Sequence, residues 1–301
     1  MPKQNQLHVD QLLSQVSVRY SNMEYIAKDV FPILSVNKNS DRYRVFERNF
    51  RIPETNRSPG ALAREHDFDV STATYSLEQH ALVKYVADDD ARNYDLSSLQ
   101  VDTTVELTDA ILRRVEQRTA LLFTTTSWSL NVSLAAANQW NNTTTANPIP
   151  QVDTGTTTII VNSGHRANYG ILPRLGFIAA KNNANVLDRT KYTSSNMTKE
   201  ILAGLFDLET LLVPTASQDT AAEGVAASIS AIWDDNMFLG WKPPRPSPLA
   251  PSAGYMFQLN SPQVRRWRDE ARKAEAIEVE VQMQPKVVSS LAGYLIRDLT
   301  A

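Results

Sequence analysis

The 301-residue sequence contains no cysteine. This absence excludes disulfide bonds, thiolate zinc sites and cysteine nucleophiles, and it is typical of proteins that assemble in a reducing cytoplasm. The sequence also lacks an apolar run of about 18 residues, the length that a membrane-spanning helix needs. Its polar N-terminus, MPKQNQLHVDQLLSQ, has no apolar signal-peptide core. These absences predict a soluble protein that is not exported by the usual secretory route.

A strong excess of charge of one sign is also missing. The chain has 30 Lys and Arg residues against 33 Asp and Glu residues, which gives a formal net charge of −3 at pH 7. Such a chain does not wrap nucleic acid by bulk charge, although local basic patches remain open. Hydrophobic residues make up 42% of the chain, which is enough for one large or two ordinary domains.

The motifs of common catalytic and cofactor sites are absent too. The sequence contains no GxxxxGK[ST], GxGxxG, GxSxG or HExxH pattern. The histidines are scattered without the spacing of metal ligands: His8, His66, His80 and His165. We therefore predict no catalytic residue, no cofactor and no metal, and we favour a structural or interaction protein over an enzyme.

Two acidic clusters and one small loop have simpler explanations than ligand binding. Residues 88–90 are three aspartates that could bind a hard cation, but such a triplet more often forms a turn or a helix cap. Asp234 and Asp235 lie in a predicted turn, where aspartate is favoured for backbone reasons. Residues 163–166, Ser-Gly-His-Arg, resemble a phosphate-binding loop only superficially, since such a loop needs both a preceding strand and a following helix. A metal-dependent enzyme that uses the acidic clusters remains an alternative at this point.

A basic segment near the C-terminus has two interpretations. It could contact nucleic acid phosphates, or it could be the solvated face of a helix. Asp269, Glu270 and Glu275 largely neutralise it, so we favour the helix face. Its cations are Arg265, Arg266, Arg268, Arg272 and Lys273.

The order of sequence patterns predicts a mixed α+β fold. Residues 1–40 read as an arm that is too thin to fold alone. Residues 41–86 contain two strand-like runs around a turn, and their six arginines predict either a solvated ribbon or an arm that reaches a neighbouring subunit. Residues 101–123 form the clearest helix, with an apolar stripe at spacings of three and four. Residues 277–284 alternate apolar and polar side chains, which predicts a strand with one buried face and one wet, acidic face.

Local patterns between the helix and this strand are less regular. The β-branched run at residues 156–161, TTTIIV, favours a strand. Residues 228–241 predict a hairpin that turns at Asp-Asp-Asn. A proline-rich loop follows at residues 243–251, and the basic segment VRRWRDEARK then favours a helix.

Taken together, these segments resemble the major capsid proteins of tailed bacteriophages, which have the Hong Kong 97-like fold. The resemblance rests on the order and spacing of several short segments across nearly the whole chain. They are IAKDVFPILSVNKNSDRYRVF, AILRRVEQRTA, NVLDRTKY, KEILAGLFDLETLLVPTA, IWDDNMFLGW and VRRWRDEARKAEAIEVEVQMQPKVVSSLAGYLI. One stretch departs from the family pattern, because relatives usually have a helix before the axial domain, where TTTIIV favours a strand.

The resemblance implies an assignment of parts. Residues 1–40 are the N-terminal arm, and residues 41–86 are the extended loop, a long β-hairpin. Residues 87–163 belong to the peripheral domain, with residues 101–123 as its spine helix. Residues 164–270 form the axial domain, and residues 271–301 supply the C-terminal strand that returns to the peripheral domain.

The resemblance also implies a function. The chain is expected to self-assemble through hexamers and pentamers into an icosahedral shell that encloses double-stranded DNA, in the virion, after assembly in the host bacterial cytoplasm. Expected partners are other copies of the chain, the portal, a separate scaffold or decoration protein, and packaged DNA through non-specific contacts, with no membrane. The expected contacts between subunits are the loop residues Arg44, Arg48, Arg51, Glu54, Arg57 and Arg64. An encapsulin-type bacterial nanocompartment, which has the same fold, is the alternative.

Overall fold

The computed structural model describes residues 10–19, 25–45, 52, 55–62, 65, 71–93, 99–124, 128–191, 197–222 and 224–300. Within these residues the chain has a mixed α+β fold with two five-stranded sheets and two short two-stranded ribbons. The helices are α1 (Gln11–Arg19), α2 (Ala27–Val30), α3 (Asp88–Asn93), α4 (Leu99–Leu121), α5 (Pro148–Ser163), α6 (Arg174–Asn182), α7 (Ala184–Thr190) and α8 (Lys199–Leu205). The strands are β1 (Ile33–Ser35), β2 (Ser40–Val45), β3 (Ser71–Ser76), β4 (Glu78–Ala87), β5 (Asn131–Ser133), β6 (Tyr169–Ile171), β7 (Thr210–Leu212), β8 (Ser217–Asp219), β9 (Ile229–Ala231), β10 (Met237–Gly240), β11 (Gly254–Gln258), β12 (Gln263–Asp269), β13 (Ala274–Val287) and β14 (Gly293–Arg297).

The C-terminal strand β13 is the centre of the first sheet. Strand β4 runs antiparallel along one edge of it, paired with residues 274–283. Strands β12 and β11 follow one another along its other edge, both antiparallel to β13. Strand β12 pairs with residues 274–280 and β11 pairs with residues 283–287, and residues 259–262 connect the two. Strand β1 then adds parallel to β11. The strand that the alternating pattern predicts is therefore present, and it is longer than the eight residues of the pattern.

One face of β13 packs against helix α4. The four side chains predicted to be buried are at most 2% exposed, and they join one hydrophobic cluster with α4. They are Ile277, Val279, Val281 and Met283. The opposite face was predicted to be wet, and that prediction is wrong at its centre, where Glu280 is only 7% exposed. Partner strands on both edges bring polar side chains over this carboxylate.

Helix α4 begins and ends two residues earlier than the predicted range of 101–123. Its buried side includes threonines, whose hydroxyl groups donate hydrogen bonds to the carbonyl oxygen four residues earlier. The Oγ1–O distances are 2.8 Å for Thr104, 2.7 Å for Thr108 and 2.9 Å for Thr119. Because the helix backbone satisfies these hydroxyl groups, threonine can lie in a dry contact with the sheet.

The second sheet has the order β5-β14-β10-β6-β7 and carries helices α5 to α8. It has its own hydrophobic cluster, in which Trp140 and Phe206 are fully buried. One face of this sheet thus packs in a cluster of its own, whereas Tyr169, Phe238 and Leu295 on its other face join the cluster of α4 and β13. Strand β14 belongs to this second sheet, so the chain's last strand pairs with the middle region and not with β13.

Residues 156–161 lie in helix α5, so the strand predicted there is wrong. Pro148 begins this helix, and Gly164 ends it in the left-handed conformation with φ +73°. Ile149, Val152 and Ile159 point to the core at helical spacing. Thr154 and Thr158 donate hydrogen bonds to carbonyl oxygens one turn back, both at 2.7 Å. Burial of one apolar face therefore overrides the strand preference of the threonines, and the helix that the family resemblance implies is the correct one.

Two other local predictions are also wrong. The segment at 228–241 is no hairpin: β9 pairs with β8, whereas β10 lies between β6 and β14. The basic segment is strand β12 up to Asp269, because it has β13 as a partner with matching register. In both places pairing with strands distant in sequence decides the structure, and local propensity does not.

Among the described residues, no helix combines the length and hydropathy that are needed to cross a membrane.

Candidate functional site: the hairpin, its base and the arm

Strands β2 and β3 form the described part of the predicted hairpin, with Ser40 opposite Ser76 and Val45 opposite Ser71. The second strand-like run of the sequence does not continue as one strand of this hairpin. It divides at Leu77, and β4 leaves the ribbon to pair with β13. The ribbon thus extends directly from the first sheet, whose edge strand is continuous with it in sequence.

The base of the hairpin is anchored in its own chain by aromatic contacts. The ring of Phe257 on β11 stacks on Tyr75, with centroids 4.7 Å apart, and contacts Tyr43 at 5.3 Å. The other buried members of this small cluster are Leu34, Tyr255 and Val288. A cavity of about 420 Å³ lies beside it, with Lys38, Arg42 and Arg44 among its lining residues. Within the described residues, the subunit itself therefore fixes the base of the ribbon.

Of the six loop residues predicted to contact another subunit, two are described. Arg44 and Arg57 are both exposed, and Arg57 donates from Nε to the carbonyl oxygen of Ala61 at 2.6 Å. Within the described part of the chain, neither guanidinium has an ion pair with a carboxylate. The other four residues lie outside the described residues: Arg48, Arg51, Glu54 and Arg64.

The described part of the N-terminal arm lies against helix α4. Ser17 on α1 shares a hydrogen bond with Thr108 at 2.9 Å. The start of α1 also reaches β12, where the backbone N–H of Asp10 donates to the carbonyl oxygen of Val264 at 2.9 Å. Further along the arm, Phe31 is fully buried and contacts Phe123 at a centroid distance of 5.6 Å. The described part of the arm thus belongs to the subunit's own core.

The buried Glu116 on α4 holds the arm in place. Its carboxylate accepts hydrogen bonds from the backbone N–H of Ile26 (3.0 Å) and Ala27 (2.8 Å) and from Nε1 of Trp233 (2.6 Å). Burial raises the pKa of Glu116, while these hydrogen bonds act in the opposite direction. Glu116 is not among the residues predicted from the sequence, although it lies four residues after Leu112, on the buried stripe of α4. An acidic residue on an apolar helix stripe is the signal that could have identified it.

The acidic triplet belongs to a helix start. The first turn of α3 consists of Asp88, Asp89 and Asp90. Carboxylates at this position are stabilised by the positive end of the helix dipole. Asp88 also pairs with Arg268, with Oδ2 and Nη2 2.7 Å apart. The described residues contain no group of three or more His, Cys, Asp or Glu side chains that could hold a metal ion.

The other two small clusters are also structural. Asp235 accepts hydrogen bonds from the backbone N–H and the hydroxyl group of Thr300, and burial raises its pKa. Residues 163–166 lie at the C-terminal end of α5, and Gly164 caps this end. Since anions bind at the N-terminal end of a helix, this loop lacks the geometry of a phosphate site. His165 instead stacks on Trp241 with ring centroids 4.0 Å apart.

The basic segment is neutralised inside the sheet. Arg265 pairs with Glu280, and their side chains are only 14% and 8% exposed. Arg266 pairs with Glu275 at 3.1 Å, and Arg272 pairs with Asp269 at 3.7 Å. These partners leave the segment without a continuous cationic face for nucleic acid.

Comparison with known proteins agrees with this architecture. No family model matches the chain. The chain is 23% identical over 300 residues to the major capsid protein of Burkholderia phage BcepMu, an alignment that covers 96% of this chain and 95% of the relative. It is 25% identical over 234 residues to the major capsid protein of Pseudomonas phage JBD67, which covers 75% and 74% of the two chains.

Solved structures give the same result for the fold. A phage-related protein from Bordetella bronchiseptica RB50 superposes with a TM-score of 0.79 at 25% identity, over 97% of this chain and 98% of that chain. The capsid structure of cyanophage P-SCSP1u superposes with a TM-score of 0.61 at 10% identity, over 91% and 88%. The resemblance found in the sequence is confirmed, and the chain has the Hong Kong 97-like fold of tailed-phage capsid proteins.

Proposed function

We propose that this chain is the major capsid protein of a tailed phage and that it assembles with copies of itself into an icosahedral shell around double-stranded DNA. The observation that carries this proposal is similarity along nearly the full length to a protein named major capsid protein, in a chain that has the capsid fold. Solved capsids with this fold are shells of many copies, which supports self-assembly. The nanocompartment alternative is not favoured, because the sequence relatives are named as phage capsid proteins.

The parts of the fold suggest a role for each region. We assign α4 and the β13 sheet to the peripheral domain, with α4 as its spine helix, and the second sheet with α5 to α8 to the axial domain. The arm and the hairpin are the two extensions. In this assignment β13 belongs to the peripheral domain, and the last strand, β14, belongs to the axial domain.

The hairpin is the proposed contact with a neighbouring subunit. Its base packs on Phe257 of its own chain, and a two-stranded ribbon beyond such a base is only marginally stable in water by itself. Arg44 and Arg57 are exposed without a carboxylate partner in the described part of the chain. We expect the five arginines among the six predicted contact residues to find acidic or polar partners on another copy, and Glu54 to find a basic or polar one.

The remaining partners follow from the capsid role. A shell that takes up DNA needs a portal, and a scaffold or decoration protein is a candidate partner. We expect contacts with packaged DNA to be non-specific, and the net charge of −3 argues against binding by bulk charge. Assembly would take place in the host bacterial cytoplasm, and the chain would carry out no catalysis, because the acidic clusters have structural roles.

Electron microscopy of the purified chain, alone and co-expressed with candidate scaffold proteins, tests the proposal. Closed shells are expected for the intact chain. Deletion of residues 50–63 should leave a folded subunit by circular dichroism but remove closed shells. Reversal of charge at Arg44 and Arg57 should weaken assembly more than Lys181→Glu, which changes an exposed cation on α6 far from the hairpin in sequence. Normal particles from the deletion would disprove the hairpin contact, and failure of the intact chain to assemble under every condition would disprove the shell function.

A further inference from the structure

Strand β4 lies at an edge of the first sheet as far as the structure describes it. Among the strands that the structure describes, β4 pairs with β13 alone, through ten consecutive residue pairs. The outer edge of β4 therefore presents backbone N–H and C=O groups that no described strand uses. Natural proteins usually cover, shorten or bend such an edge, because it is a template for pairing with another chain.

The exposed part of β4 is apolar on both faces. Leu82 is 42% exposed and Val83 is 43% exposed, and Ala81 beside them is also exposed. Leu82 points to the side of the sheet that carries α4, and Val83 points to the opposite side, since neighbouring residues alternate along a strand. Lys84 is the only charged residue at the centre of this edge. The strand thus lacks most of the features that keep an edge monomeric.

The ends of the exposed part are fixed by ion pairs with α4. Glu78 pairs with Arg118, and Lys84 pairs with Glu106 at an Nζ–Oε2 distance of 2.6 Å. Together with the full ladder to β13, these contacts hold β4 extended before any partner arrives. A preformed strand loses little conformational entropy when a second strand adds to it.

The sequence of β4 is complementary to itself in one antiparallel register. When Ala81 lies opposite Ala81 of a second copy, Glu78 lies opposite Lys84, and Gln79 lies opposite Val83. Opposite charges directly across an antiparallel pair stabilise it. A shift of one or two residues in either direction removes the pairing of Glu78 with Lys84. The charges therefore select a symmetric register with the two-fold axis at Ala81.

We propose that the β4 edges of two copies of this chain pair antiparallel across a two-fold axis at Ala81 and join the first sheets of two subunits into one continuous sheet. In this arrangement Glu78, Arg118, Lys84 and Glu106 of the two copies form rows of alternating charge on the α4 side. The two α4 helices lie on the same side of the joined sheet. This proposal rests on the proposed function, because a closed shell supplies two-fold contacts between subunits.

Disulfide trapping tests the register directly, because the natural chain has no cysteine. In an antiparallel pair, opposite Cα atoms are about 4.5–5.5 Å apart, which lies within the range that a disulfide spans. Ala81→Cys should therefore give a covalent dimer under mild oxidation. Gln79→Cys is the matched control, because residue 79 lies on the same strand and the same face as residue 81. In the proposed register the two copies of residue 79 are four residues apart along the joined strands, about 13 Å, so this variant should stay monomeric. A mixture of the Gln79→Cys and Val83→Cys chains should cross-link with each other.

The outcomes separate this proposal from the shell function. Particles are scored by electron microscopy, and cross-links are scored on a non-reducing gel, both for free subunits and for particles. Intact particles in which Ala81→Cys gives no more dimer than Gln79→Cys would overturn the edge pairing and leave the shell function standing. If no particles form, the shell function is disproved. The edge pairing is then tested on the free protein alone, where the absence of an Ala81→Cys dimer would overturn it.

Amide hydrogen exchange identifies a different occupant. Protection of residues 78–84 on assembly, together with the Ala81→Cys dimer, supports pairing between two copies. Protection of the same residues without that dimer means that another segment covers the edge, and it overturns the proposal.

Discussion

Val279→Asp tests the contact between strand β13 and helix α4. Val279 is fully buried, and its lateral neighbours in the sheet are Leu82 on β4 and Val264 on β12. Neither neighbour can pair with a carboxylate. Val281 is a poorer site for this test, because His80 lies opposite it and offers a partner.

The expected loss can be worked out in two steps. An aspartate at this site would take up a proton, since an isolated carboxylate is too costly to bury. At pH 7 proton uptake costs about 4 kcal/mol, given an unfolded pKa near 3.9 and about 1.36 kcal/mol for each pH unit. Burial of the neutral carboxyl group without a partner adds about 1–3 kcal/mol. The total of about 5–7 kcal/mol is comparable with the whole stability of many domains, about 5–15 kcal/mol.

Val279→Thr is the matched control, because threonine has nearly the same shape and adds only a hydroxyl group. It should cost about 1–3 kcal/mol in a denaturant titration of the folded subunit, independently of pH. For Val279→Asp the pKa is raised in the folded state, so its penalty grows as pH rises above the unfolded pKa. Between pH 5 and pH 7 the difference between the two variants should widen by about 2.7 kcal/mol. Equal losses for the two variants with no pH dependence would mean that residue 279 reaches water, and the packing of α4 on β13 would be refuted.

Three further predictions concern the arm and the buried charges. Burial raises the pKa of Glu116 above its ordinary value of 4.5, so the folded chain binds this proton more tightly than the unfolded chain. The free energy of unfolding should therefore fall as pH rises from about 4.5, until the pH exceeds the pKa of the folded state. Glu116→Gln should remove this pH dependence and lower the free energy of unfolding by about 1–3 kcal/mol, because an amide cannot accept all three hydrogen bonds. An unchanged pH dependence in the variant would contradict the role given to Glu116. Replacing Arg265 alone or Glu280 alone by Met should cost about 3–5 kcal/mol, whereas replacing both should cost less than either, as measured by a double-mutant cycle in denaturant. Gly254→Ala should destabilise the subunit by about 1–3 kcal/mol in a thermal unfolding assay, since the added Cβ would clash with the buried ring of Phe31 in the arm. Gly204→Ala on α8 is the matched control: its added Cβ meets open space, so this variant should be neutral or stabilising in the same assay.

Long elements with a clear period could be predicted from the sequence. Helix α4 and strand β13 each bury one face against the other. The spacing of apolar residues in each segment therefore predicts both the type of element and the face that is buried. The same holds for the ribbon of β2 and β3, which the turn-forming residues around it mark. The arrangement of these parts was predicted by family resemblance, and the strand order of the two sheets was not predicted at all.

Helix α5 and strand β12 could not be predicted from local sequence, because the contacts that decide their structure are distant in sequence. Residues 156–161 favour a strand by composition, yet the apolar face of the whole of α5 has a core to cover, and the helix results. Strand β12 contains residues typical of a helix surface, yet β13 pairs with it in register and supplies Glu280 to Arg265. In each case the deciding energy comes from burial or pairing outside the local window.

The buried charges follow the same physical rule. Alternation along β13 predicts which face Glu280 occupies, but it does not predict whether that face is wet. That depends on Gln79, which donates to the carboxylate at 2.6 Å from 201 residues away in sequence, and on Arg265 from the opposite neighbouring strand. Glu116 is a similar case on α4, with its partners in the arm and at Trp233. Distant segments of the chain therefore meet at Glu280 and at Glu116. Single substitutions at these two residues report most directly on how the arm and the sheets of this subunit are held together.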